Sequence, residues 1–140
     1  MIRPIDHLGL ATSLPSNQLD ALRAIDPDEA TVIVVDGAGV VDRDGLMSRF
    51  ADAFGLSPEP GSWIWPALAD SIWGALQRMD ASRVLVVLTH ADELAARSID
   101  EVLTLVLLFA DLDRQVSTAE GSRRAIRLSL VLLGDSAAFG

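Results

Sequence analysis

The sequence predicts an α/β domain built on a three-stranded parallel sheet, and three observations carry that expectation. Thr31 to Val35, Arg83 to Thr89 and Ala125 to Leu133 are short runs rich in Val, Ile and Leu. The first two are apolar without alternation, as strands covered on both faces are. Between consecutive runs lie stretches long enough for one or two helices, with apolar residues three and four apart. Strands alternating with amphipathic helices join as parallel neighbours through helical crossovers.

Taken in order, residues 1–30 read as an N-terminal extension packed on the domain. They carry Pro4, Pro15 and Pro27 and one short helical stretch, Ser16 to Ile25, capped by Ser16 or Asn17. The first strand closes at Asp36-Gly37. Asp42 or Asp44 then caps a helix that has Leu46, Phe50, Ala53 and Phe54 on one face and Gly55 as its stop. After a loop rich in Pro and Gly, Pro66 suits the first turn of a second helix, where its missing N–H is no loss. Leu68, Ile72, Ala75, Leu76 and Met79 form the apolar stripe of that helix, which ends near Asp80.

The second strand leads into a short helical turn, Asp92 to Arg97, with Asp92 as its capping residue. Ser98-Ile99-Asp100-Glu101 has the pattern of a capping box and opens a long helix to about Val116. That helix is apolar on most of its circumference, so burial on more than one side is expected. In the last strand Ile126, Leu128, Leu130 and Leu132 alternate with Arg127 and Ser129. The expected organisation is an extension over 1–30, one domain over 31–134 and a C-terminal tail over 135–140.

Composition narrows the function. The chain has 140 residues, half of them apolar, enough for one domain with a real core. Twenty acidic residues oppose eleven basic ones, for a net charge of −9. A nucleic-acid backbone is repelled by such a chain, so nucleic acid is not an expected partner. Every basic residue is Arg, which excludes a Walker lysine or a Schiff base. With no Cys there is no disulfide, thiolate metal site or cysteine nucleophile. Met1 to Leu10 lacks the apolar core of a secretory signal. The longest apolar run, Val102 to Ala110 broken only by Thr104, is about half of the roughly 20 residues that span a bilayer. A cytoplasmic protein that does not engage membranes is expected.

Enzyme signatures are weak. Gly37-Ala38-Gly39 follows the first strand, but the third glycine of a dinucleotide fingerprint would fall where Asp42 stands. Val40-Val41-Asp42-Arg43-Asp44-Gly45-Leu46 is similar to the nucleophile motif of haloacid-dehalogenase-type phosphatases, which makes a phosphatase using Asp42 and Asp44 a remote alternative. That family also uses a later acidic pair to hold magnesium, and no Asp-Asp pair follows in this chain. His90, near Asp92 and Glu93, ends a strand where α/β enzymes place chemistry. With only His7 besides it, no His-rich metal site can form. No Ser sits in a Gly-x-Ser-x-Gly elbow. No catalytic residue, metal or cofactor is expected.

The informative segment is Gly61 to Gly74, which holds all three tryptophans, Trp63, Trp65 and Trp73. Asp70 lies about 200° around the helix from Leu68 at 3.6 residues per turn, so it points outward. Trp73, three residues on, shares that side. A carboxylate flanked by aromatic side chains has the composition of a protein-binding hot spot.

This helix resembles the inhibitory helix of the barstar (barnase inhibitor) family, whose members carry Gly-x-Asn-Trp-Asp-Ala-Leu-x-Asp-x-Leu. Trp65, Ala67-Leu68, Asp70 and Ile72 match in register, and the order of elements matches over about residues 31–134. The resemblance implies a barstar-like fold and an inhibitor of the antitoxin or immunity type that plugs the active site of a small basic ribonuclease or related toxin. It implies that Asp70 takes the place of a substrate phosphate. Ser62, Trp63, Ile64, Pro66, Ala69, Trp73 and Gly74 would complete the contact face, with Glu59 and Asp111 at its periphery and Asp113 as the alternative to Asp111. The chain departs from the family where Pro66 stands at a second helix carboxylate, Ile64 at an Asn, and Pro60-Gly61 at a loop aromatic pair, with Trp63 nearby. The alternative is a diverged barstar-fold module that binds a non-nuclease partner, or a second copy of itself as a homo-oligomer, through its Trp-rich surface.

Overall fold

A computed structural model describes residues 11–56, 64–118 and 125–135. Four strands form one wholly parallel sheet: β1 (Ala11–Leu14), β2 (Thr31–Val35), β3 (Arg83–Leu88) and β4 (Arg127–Leu133), in the order β1-β4-β3-β2. Thr31 lies opposite Val84, Arg83 opposite Arg127 and Ala11 opposite Leu130. The architecture is the α/β class expected, with one strand more than the three anticipated. The addition, Ala-Thr-Ser-Leu, is short, half polar and at the sheet edge, so it carries no apolar run to betray it.

The helices are α1 (Leu19–Arg23), α2 (Arg43–Phe54), α3 (Trp65–Arg78), α4 (Ala91–Arg97) and α5 (Ile99–Val116). From β2 the chain steps through β3 to β4 in one direction across the sheet, with α2 to α5 in the crossovers. The connection from β1 to β2 runs the opposite way, so the right-handed rule sends its helix to the opposite face. The packing agrees. Ile33, Val35, Val84, Val86, Leu88, Leu128, Leu130 and Leu132 meet α2 to α5 in the main core. On the other face Leu85, Val87, Val131 and Leu133 lie under Leu14, Leu19, Leu22 and Ile25. The segment ahead of β2 therefore supplies both an edge strand and the cover of a second face.

Local chemistry sets most element ends. Asp42 is extended and its Oδ1 accepts the Gly45 N–H at 2.8 Å, so of the two expected caps Asp42 is the one used. Gly55 ends α2 in the left-handed conformation at φ 65°, which favours glycine. Beyond β2 the chain turns so close to β3 that a side chain at Gly37 would stand 2.2 Å from the Thr89 carbonyl oxygen.

Four expectations are corrected here. The helix foreseen from Ser16 is a 3-10 turn, Ser16–Gln18, followed by α1, and neither Ser16 nor Asn17 caps it. The Ser16 N–H (2.9 Å) and hydroxyl bind the Asp135 carboxylate instead. The capping box at Ser98 is not formed: Ser98 is the shared joint of α4 and α5, its N–H spent on Leu94 O at 2.7 Å. Asp92 does not cap α4, which His90 precedes at φ 55°; its carboxylate accepts the Asp135 N–H at 3.2 Å. Finally, α5 is buried along one side only, through Val102, Leu105, Phe109, Leu112 and Val116, and leaves Ile99, Leu103 and Leu107 exposed. All four crossover helices share one sheet face, so α5 keeps an outer side. Among the described residues no helix is long and apolar enough to cross a membrane.

Leu22 is 1% exposed on the second face, whereas Leu107 is 70% exposed on α5. Leu22→Ala is expected to lower unfolding free energy in urea by about 2–4 kcal/mol, the transfer and cavity cost of a buried Leu. Leu107→Ala should stay within about 0.5 kcal/mol. A Leu22→Ala effect as small as that of Leu107→Ala would mean that α1 adds no stability to the sheet.

Candidate functional site

The outward side of α3 is fixed by what its inward side buries. Leu68, Ile72 and Leu76 are fully buried and Ala75 nearly so, all in the main core. With 3.6 residues per turn, Pro66, Ala69, Asp70, Trp73 and Gly74 then fall on one opposite stripe. Pro66 and Asp70 are exposed, Ala69 and Gly74 half-buried, and Trp73 is 36% exposed at the margin. Trp65 packs against the core, which separates it from the outward stripe. Ile64 precedes the helix in extended conformation and is 62% exposed. Its apolar side chain cannot cap the helix, and Pro66 at the first turn removes one of the N–H groups that a cap would serve.

Asp70 makes no hydrogen bond or ion pair with any described residue. Its carboxylate projects from a helix whose buried side anchors it, with an apolar or small residue at each neighbouring outward position. Glu59, Ser62 and Trp63 lie outside the described residues.

The two α5 candidates separate clearly. Asp113 Oδ1 accepts the Leu128 N–H at 3.0 Å, tying the end of α5 to the start of β4. Asp111 is exposed and paired on its own helix, with the Arg114 guanidinium and with Gln115 Nε2 at 2.8 Å. α3 and α5 pack against each other. Sequence reasoning missed the α5 residues Ile99, Leu103 and Leu107 as surface. Their four-residue spacing was the available signal, but the same spacing describes a buried stripe equally well.

The strand-end cluster around His90 is satisfied internally. Asp36 Oδ1 accepts the Ala38 N–H at 2.9 Å and lies 3.4 Å from Thr89 Oγ1, and Oδ2 lies 3.3 Å from Arg49 Nη1. His90 Nδ1 lies 3.2 Å from Thr89 Oγ1 and 4.0 Å from Asp36. The Ala38 N–H first, and the Arg49 charge after it, hold the Asp36 carboxyl below its ordinary value of 3.8 despite some desolvation. Among the described residues no three His, Asp or Glu side chains are placed to share a metal ion.

A carboxyl group more acidic in the folded chain than in the unfolded one stabilises the fold while ionised, and that contribution fades as pH falls below the ordinary value through the folded one. Asp36→Asn should therefore be less stable than wild type at neutral pH. The gap should close on acidification below about pH 4. Urea unfolding of both proteins across pH checks this, and a pH-independent gap would remove ionisation as its cause.

A family model described as Barstar (barnase inhibitor) matches residues 30–131, from the start of β2 into β4. β1 and α1 lie outside the matched residues. No match was found among curated proteins or among solved structures.

Proposed function

The chain belongs to the barstar (barnase inhibitor) family, and from that premise we propose that it inhibits a small basic ribonuclease or related toxin by stoichiometric binding, without catalysis. The observation that carries this reading is Asp70, exposed on the outer side of α3 and without a partner among the described residues. A carboxylate already neutralised inside its own fold has little to offer a cationic cleft. One held rigidly in solvent can be paired and desolvated on docking, where charge pairs contribute most.

The surrounding residues take supporting roles. Ile64, Pro66, Ala69, Trp73 and Gly74 provide an apolar and sterically open collar that excludes water from the ion pair, as neighbours of a hot spot do. The family resemblance adds Ser62, Trp63 and Glu59, which precede α3 in sequence, to the proposed partner contact. Asp111 lies at the periphery, where its pairing with Arg114 leaves it a steering role at most. The net charge of −9 favours encounter with a basic target. Because Pro66 and Ile64 are not carboxylate and amide, the target cleft is expected to set an apolar shelf beside one cationic pocket.

The exposed Ile99, Leu103 and Leu107 favour a second reading, a diverged module that binds a non-nuclease protein, or another copy of itself, through apolar surface. The two readings separate on titration against small basic ribonucleases of the same organism. Inhibition at a one-to-one ratio is expected, with Asp70→Ala weaker by about 2 kcal/mol or more, roughly 30-fold, the scale of a hot spot. The association rate should fall as salt rises. Equal potency of the two proteins removes Asp70 from the mechanism. Inhibition by neither, with salt-insensitive self-association or capture of another protein, supports the second reading.

A further inference from the structure

A cavity of about 440 Å³ opens on the α1 face of the sheet, at the carboxyl ends of the strands, away from the stripe on α3. Its size falls within the range of small-ligand pockets. Its place in the fold is the one where open α/β sheets receive ligands: the connection leaving β1 crosses one face, those leaving β2 and β3 cross the other, and the crevice lies where they part. Leu19, Val34 and Leu133 give it an apolar floor, so it can hold the body of an organic molecule.

The rim decides the charge of the occupant. Asp36, Asp92, Glu93 and Asp135 line it together with one arginine, Arg23, and with His90, whose Nδ1 lies 4.0 Å from Asp36. Asp36 has Arg49 as counter-ion, but Asp92, Glu93 and Asp135 have no cationic partner among the described residues. No three of these groups converge closely enough to share a metal ion. Carboxylates spread around an apolar floor suit a larger cation, whose charge stays at the wet rim while its carbons take the floor. We propose that this crevice binds a small organic cation, a protonated amine or guanidinium on a short alkyl body. The proposal stands apart from the α3 reading and survives its failure.

The test uses the full chain and ¹H–¹⁵N NMR titration at low salt with ethylamine, propylamine, n-butylamine and agmatine, and with n-butyrate as the anionic control. Saturable shifts are expected for the amides of Asp36, His90, Gly134 and Asp135, with affinity rising about two- to fourfold per added methylene. Butyrate should leave these amides unmoved. Glu93→Gln should weaken n-butylamine binding several-fold through loss of one charge-assisted contact. Leu19→Ala should flatten the dependence on alkyl length. Both side chains sit at the molecular surface or its margin, and the alkyl series on wild type tests the idea without either variant. Shifts that do not saturate, that spread equally to Asp70, or that ignore alkyl length overturn the proposal as an ion atmosphere only.

Discussion

The fold rests on the need of two central parallel strands to be covered on both faces at once. Every residue from Val84 to Leu88 and from Leu128 to Leu133 is buried, so neither side of β3 or β4 tolerates water. The crossover helices α2 to α5 all fall on one face because the chain advances in a single direction from β2 to β4. That leaves Leu85, Val87, Val131 and Leu133 bare unless something outside the crossovers covers them. The segment from β1 to α1 does so, and its reversed direction across the sheet is what carries it to that side. The part of the chain beyond the family match is thus integral to the packing.

The same constraint gives the proposed inhibitory helix its rigidity. α3 has no capping side chain at its start and takes its position from Leu68, Ile72 and Leu76 in the core. Tertiary burial, more than helix propensity, holds such an element. Its outer residues are then free to vary without loss of the fold, and the exposed Pro66 and Ile64 are among the positions the core does not constrain. Asp70 is displayed from a fixed backbone, so the proposed docking would require little gain of order.

Legibility from sequence followed the range of the interactions concerned. β2, β3 and β4 announce themselves because a strand buried on both faces must be continuously apolar. The Asp42 cap and the Gly55 stop are local, and so is the outward direction of Asp70 once Leu68 and Ile72 are taken as inward. β1 was not legible, since Ala-Thr-Ser-Leu at an edge needs little apolar character and its partner Leu130 to Leu133 lies more than a hundred residues away. Ser16 and Ser98 have the right chemistry for caps, but each is recruited by a joint that local pattern does not encode. Asp111 and Asp113 look equivalent in sequence; only the start of β4 shows that Asp113 is committed to the Leu128 N–H.

The hydrogen bond from the Ser16 N–H to Asp135 spans 119 positions, and the pairing of β1 with β4 is equally remote. Loop closure over such distances slows folding, and a growing polypeptide meets that delay in its sharpest form. Leu14, Leu19 and Leu22 leave the ribosome about a hundred residues ahead of β4, one of the strands they rest on. Until β4 is made these side chains lack part of their native seat, and the nascent chain must keep this greasy segment out of trouble for that interval.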